Sequence, residues 1–302
     1  MKLYRSGKVK DVYEANDRSL EFVYTDRISV FDKMIPNDIP FKGETLCRTS
    51  VFWFQILRDM GVKSHFQEFI PPNRVRVRRV DIIPDYSKLN TETTNYLIPL
   101  EFIMRHYVAG SMHRKLQKGR VRPEDLGFPA GKEVPYGAEL PEPYFEMTTK
   151  LEEIDRPLTE KEALEISGLT EDELENIRNT IERIDRRISK EVERRDLIHV
   201  DGKKEFGFDS KRRLMLVDSF GTADEDRFWD SDMYAKGEFV ELSKESVRKY
   251  YKDSGYYEKL MVARERGEDI EIPPLPEDVV KETSQLYITV FERITGETFR
   301  EQ

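Results

Sequence analysis

The stretch from Asp201 to Asp218 concentrates the residue types that could do chemistry. It reads as two short strands around a polar turn at Asp209 to Arg212, the pattern of a hairpin. Side chains alternate along a strand, so Asp201, Lys203 and Glu205 share one face while Lys204, Phe206 and Phe208 share the other. Folding about a midpoint near Lys211 sets Glu205 almost opposite Asp218. Two carboxylates converging beside a lysine suit a hard divalent cation such as Mg²⁺, which takes oxygen ligands and completes its shell with water and phosphate. A solvated cross-strand charge cluster fits the same residues, and the pattern alone leaves both readings open.

Two other segments carry weaker signals. Lys8 and Lys10 stand two apart on an expected strand and so project to one side, with Gly7 beside them allowing close approach of a phosphate. Paired lysines on an edge strand also serve simply to prevent aggregation. Further on, Glu101, Ile103 and Arg105 align on one face of an expected strand, and Ser111 precedes a helix closed by Gly119. Ser111 is therefore an N-cap candidate, and a helix amino terminus seats anions well. A cap without a ligand is the commoner use of such a residue. None of the four histidines shows a ligand or triad spacing; His106 and the single cysteine, Cys47, read as structural.

The elements that must position these groups follow from periodicity. The first forty residues read as antiparallel strands, Glu44 to Met60 as a helix and Val75 to Ile83 as a basic strand. Pro84 to Asn95 is polar and reads as a linker or extended loop, and Arg120 to Pro143, rich in Pro and Gly, as a long surface excursion. Thr170 with Glu173 forms a capping box for a helix whose apolar stripe runs Leu174, Ile177, Ile181, Ile184, Ile188 and Val192. Further helices are expected from Ser243 and over Glu277 to Arg293.

Composition bounds the function. The chain has 302 residues, enough for two domains, with 38% hydrophobic and 36% charged residues, as in a soluble globular protein. A net charge of −9 argues against a nucleic-acid partner. No run reaches the length of a membrane span, and the first residues lack the apolar core of a signal peptide, so a cytoplasmic protein without a membrane partner is expected.

Taken in order, the segments resemble the phosphoribosylaminoimidazole-succinocarboxamide synthase (SAICAR synthetase) family over nearly the whole chain. The pieces that carry the resemblance begin with Gly7 to Tyr13, Thr25 to Asp32, and Lys42 to Glu44 leading to Phe52–Phe54. Pro99 to Arg105 with Ala109 to Ser111, Leu140 to Pro143 and Thr149–Lys150 come next. Lys203 to Asp218, Asp226 to Trp229, and the tail from Pro274 to Gly296 complete the set. The resemblance implies a purine-biosynthesis ligase joining a carboxyaminoimidazole ribonucleotide to L-aspartate with ATP and Mg²⁺, through an acyl phosphate. It implies ATP-phosphate roles for Lys8 and Lys10 and metal roles for Glu205 and Asp218, with Lys203 between nucleotide and substrate carboxylate. Arg105, Ser111 and Arg227 match ribonucleotide-binding positions, with Glu101 and Asp201 as further contacts; Lys150, Asp155 and Arg248 fall on the aspartate side.

Three features depart from the family's pattern. Ile154-Asp155-Arg156 stands where many relatives carry His-Asp-Glu, Ser219 stands where a Glu usually follows the metal aspartate, and residues 86–96 lengthen a usually short hinge. The expected fold is α+β, with an amino-terminal antiparallel-sheet domain over residues 1–90 and an ATP-grasp-like α+β domain over 91–302, the nucleotide lying in the cleft between them. A small-molecule kinase and a non-catalytic nucleotide-binding module are the competing functions, and homo-oligomer formation is left open.

Overall fold

The computed structural model describes residues 1–242 and 244–300. Strands β1 (Lys2–Ser6), β2 (Lys10–Asn16) and β3 (Ser19–Tyr24) form a meander, followed by the hairpin β4 (Arg27–Val30) and β5 (Lys33–Asp38). Helix α1 (Lys42–Asp59) and strands β6 (Phe66–Ile70) and β7 (Arg74–Arg78) complete an antiparallel sheet in the order β1-β2-β3-β7-β6. Helix α1 buries Leu46, Cys47, Trp53, Phe54 and Leu57. It starts two residues before the expected Glu44, because Lys42 is drawn into a buried ion pair with Asp224 at 2.8 Å. The basic strand stops at Arg78 rather than Ile83; beyond it Asp81 makes only an isolated bridge to Tyr96. The following polar stretch is a loop, as expected, with one 3₁₀ turn at Tyr86–Lys88.

A second sheet follows: β8 (Leu100–Tyr107), helix α2 (Gly110–Gln117), β9 (Glu139–Thr149), β10 (Pro157–Leu158), helices α3 (Glu160–Ser167) and α4 (Glu171–Glu193), then β11 (Leu197–Phe208), β12 (Leu214–Val217) and β13 (Asp226–Asp230). Its order is β10-β9-β8-β11-β12, and β13 also pairs with β11. Short helices α5 (Ser231–Ala235), α6 (Glu245–Asp253) and α7 (Tyr256–Glu265) lead to α8 (Glu277–Thr295). The expected helix from Ser243 therefore begins at a residue outside the described ones. The architecture is α+β with antiparallel sheets, as the sequence implied.

The amphipathic stripe of α4 becomes core: Ile177, Ile181, Ile184 and Ile188 are buried. The capping box forms, with Glu173 N donating to Thr170 Oγ1 at 3.2 Å and Thr170 N to Glu173 Oε2 at 3.0 Å. The expected surface excursion is more ordered than its composition suggested. Leu126 and Phe128 are buried with Val108, Met112 and Leu140, and β9 begins inside it at Glu139. These apolar anchors outweigh the Pro and Gly content of the stretch.

The two sheets are joined. Leu216 of β12 accepts from His65 N and donates to Lys63 O, both at 2.9 Å, which fastens the second sheet to the segment entering β6. Helix α8 packs back on α1, and the largest core cluster combines Leu20 and Val75 with Phe102 and Phe206. Among the described residues, no helix is long and apolar enough to cross a membrane. Ile181→Ala is expected to cost about 2–5 kcal/mol in urea unfolding and Thr170→Ala about 1 kcal/mol. A larger loss for the threonine variant would mean that the cap rather than the stripe holds α4 in place.

Candidate active site

Strand register builds the site. Asp201 of β11 lies directly across from Arg105 of β8 on one side and Arg227 of β13 on the other. Directly opposed residues in an antiparallel pair project from the same face, so the aspartate sits between two arginines. Arg105 donates to Asp201 Oδ2 at 2.9 Å, and Arg227 approaches the same oxygen at 3.7 Å. Arg105 also donates to Ser111 Oγ at 3.0 Å and pairs with Glu146, which Lys115 holds at 2.9 Å. Burial alone would raise the Glu146 carboxyl; Arg105 and Lys115 outweigh it and bring it below the ordinary value. Gly110 is required here: its φ is +51°, and a Cβ would lie 2.6 Å from the Arg227 guanidinium.

Ser111 is not the N-cap. That position belongs to Ala109 in an extended conformation, and Ser111 lies inside the first turn with its hydroxyl given to Arg105. The arginine reaching over from β8 claims the side chain that sequence spacing had assigned to the helix end.

Two residues along β11, Lys203 donates to Glu101 of β8 at 2.9 Å and lies 3.3 Å from Glu205 and 3.4 Å from Glu225. Burial would push this lysine down, but Glu225, Glu205 and Glu101 overcome it and raise its pKa far above the ordinary value. Lys150, from the end of β9, reaches Glu205 at 2.6 Å and Glu101 at 3.8 Å. Glu205 is correspondingly held down to about 2, the ammonium groups of Lys150 and Lys203 outweighing the cost of burial. Glu101 moves the other way, since burial raises it more than Lys203 lowers it.

The hairpin register differs by one residue from the sequence expectation. Glu205 pairs with Val217, not Asp218. Strict alternation would turn Asp218 to the opposite face. Instead Asp218 leaves the strand in a left-handed conformation, φ +61°, which aspartate tolerates better than most residues. Its carboxylate accepts from Ser219 N at 2.6 Å, forms an ion pair with Lys10, and lines the same cleft as Glu205. Lys10 also donates to Ser219 Oγ at 3.0 Å. Burial pushes Lys10 down to about 8 despite the nearby Glu225 and Glu205.

Lys8 and Lys10 do not share a strand as expected. β2 begins at Lys10, and Lys8 lies in the turn closed by Gly7 N donating to Lys10 O at 2.8 Å. Both still line the cleft, which has a volume of about 790 Å³ and also receives Lys150, Lys203, Glu205, Asp218 and Glu225. Beside it lies a smaller pocket of about 140 Å³ with apolar walls from Val12, Phe22, Val80, Leu97 and Val217. On the other side, Asp201, Asp224, Glu225, Arg227, Lys244 and Arg248 line a polar pocket.

Not every expected residue converges. Asp155 is exposed on the 151–156 loop and lines none of these pockets. Lys150 faces Glu205 rather than the polar pocket where Arg248 lies. Sequence reasoning missed Glu225, whose place depends on β13 pairing with β11. It also missed a buried cluster: ligand atoms of His106, Asp185 and His199 lie within 4.8 Å of one another. The cation position there is filled by the chain itself, for Lys204 Nζ is 2.6 Å from Asp185 and 3.0 Å from Asp226. A lysine on the core face of β11 was the available signal.

The chain is similar to known proteins along nearly its whole length. A family profile described as SAICAR synthetase matches residues 3–262. The phosphoribosylaminoimidazole-succinocarboxamide synthase of Thermoplasma volcanium is 53% identical over 299 residues, covering 98% of this chain and 99% of that protein. The Thermoplasma acidophilum protein of the same name is 52% identical, with 98% and 99% covered. The solved SAICAR synthase of Saccharomyces cerevisiae, complexed with SAICAR, superposes with a TM-score of 0.76 at 26% identity, covering all of this chain and 97% of that one.

Glu205 supplies a pH test of this arrangement. Because its folded pKa lies near 2, below the ordinary 4.5, its ionised form contributes stability that is complete above pH 4.5 and is lost as pH falls toward 2. Glu205→Gln is expected to flatten the thermal-stability profile across that window; an unchanged slope would show that the lysines do not hold this carboxylate.

Proposed function

The chain belongs to the SAICAR synthetase family and is an ATP-dependent ligase of purine biosynthesis; we propose that it makes its amide bond through an acyl phosphate, with the residues of the cleft dividing phosphate binding, metal binding and substrate positioning among them. The substrates are 5-amino-1-(5-phosphoribosyl)imidazole-4-carboxylate, L-aspartate and ATP, and the products are the succinocarboxamide, ADP and phosphate. The observation that carries this reading is the position of Lys203, bonded to Glu101 and flanked by Glu205 and Glu225 where the lysine-lined cleft meets the polar pocket.

An ionised carboxylate is a poor electrophile, so amide formation needs a leaving group on it, and phosphorylation supplies one. Phosphoryl transfer depends mainly on positioning and charge neutralisation. In this reading Lys8 and Lys10 hold the ATP phosphates, and the apolar pocket beside them accepts the base. Lys203 bridges the γ-phosphoryl group and the substrate carboxylate. Arg105, Ser111 and Arg227 hold the ribonucleotide, with Asp201 and Glu101 fixing the arginines and Lys203. Glu205 and Asp218 offer two carboxylates, an all-oxygen donor set of the kind Mg²⁺ takes; these residues would hold the ion, which would neutralise phosphate charge. Arg248 is assigned to the carboxylates of aspartate, and Lys150 to the metal side through Glu205. Asp155 has no part in this reading. The first sheet, before residue 91, and the second, after it, act as the two walls of the nucleotide cleft. A cytoplasmic enzyme fits this metabolic role.

Purified protein given ATP, Mg²⁺, the ribonucleotide and aspartate is expected to release ADP and the succinocarboxamide in equal amounts. Asp218→Asn should cut turnover by about 10²-fold or more without unfolding the protein. Lys10→Ala should raise KM for ATP more than for the ribonucleotide, and Arg105→Ala the reverse. ADP release without aspartate incorporation would instead mark a kinase.

A further inference from the structure

Glu225 has no part in phosphate, metal or ribonucleotide binding, yet among the described residues it alone lines both the phosphate-facing cleft and the polar pocket. The other carboxylates of the polar pocket are committed. Asp201 accepts from Arg105 at 2.9 Å, Asp224 from Lys42 at 2.8 Å and Tyr287 at 2.6 Å, and Asp226 from His199 at 2.8 Å and Lys204 at 3.0 Å. Glu241 pairs with Arg227 at 3.3 Å. Glu225 has a looser partner, Lys203 at 3.4 Å, and that lysine is bonded more closely to Glu101. Its backbone is fixed: Glu225 N donates to Thr222 O at 3.1 Å and Glu225 O accepts from Lys203 N at 3.3 Å. A loosely paired carboxylate on a fixed backbone, beside the lysine at the substrate carboxylate, is placed to receive a proton from a nucleophile arriving through the polar pocket.

The proposal rests on the ligase reading. The amino group of aspartate is an ammonium at neutral pH, and its nitrogen has no free lone pair until a proton leaves. We propose that Glu225 is the general base for that nucleophile. Its carboxylate takes one proton from the ammonium. The freed lone pair forms the C–N bond at the acyl carbon, and the C–O bond to the phosphoryl group breaks, its electron pair leaving with phosphate. The second nitrogen proton goes to the departing phosphate, and Glu225 returns its own proton to solvent.

The test separates the two halves of the reaction. ATP labelled with ¹⁸O in the β,γ-bridge scrambles its label when the acyl phosphate forms and reverses, without aspartate. Glu225→Gln is expected to keep scrambling within about threefold of the wild type while amide formation falls by about 10²-fold or more. Hydroxylamine, a nucleophile largely unprotonated at neutral pH, should restore turnover in the variant as a hydroxamate. Loss of scrambling together with amide formation would overturn the assignment by placing Glu225 on the phosphoryl-transfer side, as would amide formation at a near wild-type rate. A wild-type protein that forms no amide would sink the ligase reading instead.

Discussion

The structure depends on pairing lysines with carboxylates in a confined space. Six basic and four acidic side chains line the cleft, and the acidic ones are met by lysines: Asp218 by Lys10, Glu205 by Lys150, and Glu101 and Glu225 by Lys203. Unpaired, any of these charges would cost several kcal/mol to bury. Paired, they compensate one another, and the low pKa of Glu205 and the high one of Lys203 record the pairing. In the proposed reading a triphosphate would enter such a site by exchange, its phosphates taking Lys8 and Lys10, while Glu205 and Asp218 would hold the cation. The excess of basic over acidic groups matches the negative charge that the nucleotide brings.

The fold makes this pairing possible through the length of β11. Twelve residues long, it pairs with β8 and β13 over its first part and with β12 over its last. Its alternate residues Asp201, Lys203 and Glu205 therefore meet different neighbours in turn: two arginines, then a glutamate, then a lysine at the mouth of the first sheet. A slip of one residue would exchange this row for Lys204 and Phe206 and bury a different set of charges. The bridge between Leu216 and residues 63–65 holds the opposite wall, so that Lys10 can reach Asp218 across the cleft.

Much of this was legible in the sequence because it follows period-two and period-3.6 patterns. The alternation on β11, the stripe of α4 and its capping box all formed as read, whereas Lys8 and Lys10, grouped on one strand, are split by the start of β2 at Lys10. What escaped were features set by tertiary contact. Asp218 reaches the cleft only because a left-handed residue breaks the alternation that had been used to place it. Ser111 lost its cap role to an arginine from another strand. Glu225 could not be found because its neighbour Lys203 lies 22 positions away, joined through a strand pairing that periodicity does not specify. His106 was read as structural, and the histidine spacing gave no hint that His106 and His199 share their aspartate partners with a buried lysine.

That buried lysine explains how the loop after β12 keeps its aim. Residues 218–227 carry Asp218 at the cleft, Arg227 at the polar pocket, and Glu225 lining both. The loop is fastened at three points. Gly221 O accepts from Trp53 at 2.8 Å, Asp224 is held by Lys42 and Tyr287, and Asp226 takes Lys204, His199 and Gly221 N. Burying a lysine with two aspartates adds little net stability compared with an apolar core of the same shape. Its directional bonds do something an apolar contact could not, since they fix where Asp226 points and so leave the residues on either side of it, Glu225 and Arg227, turned toward the pockets. Gly202 belongs to the same arrangement, because any side chain there would collide with the Asp226 carboxylate. The ionic core beneath the sheet and the charged cleft above it are thus one construction: the first spends its charges on orientation, and the second can then keep its own available for ligand.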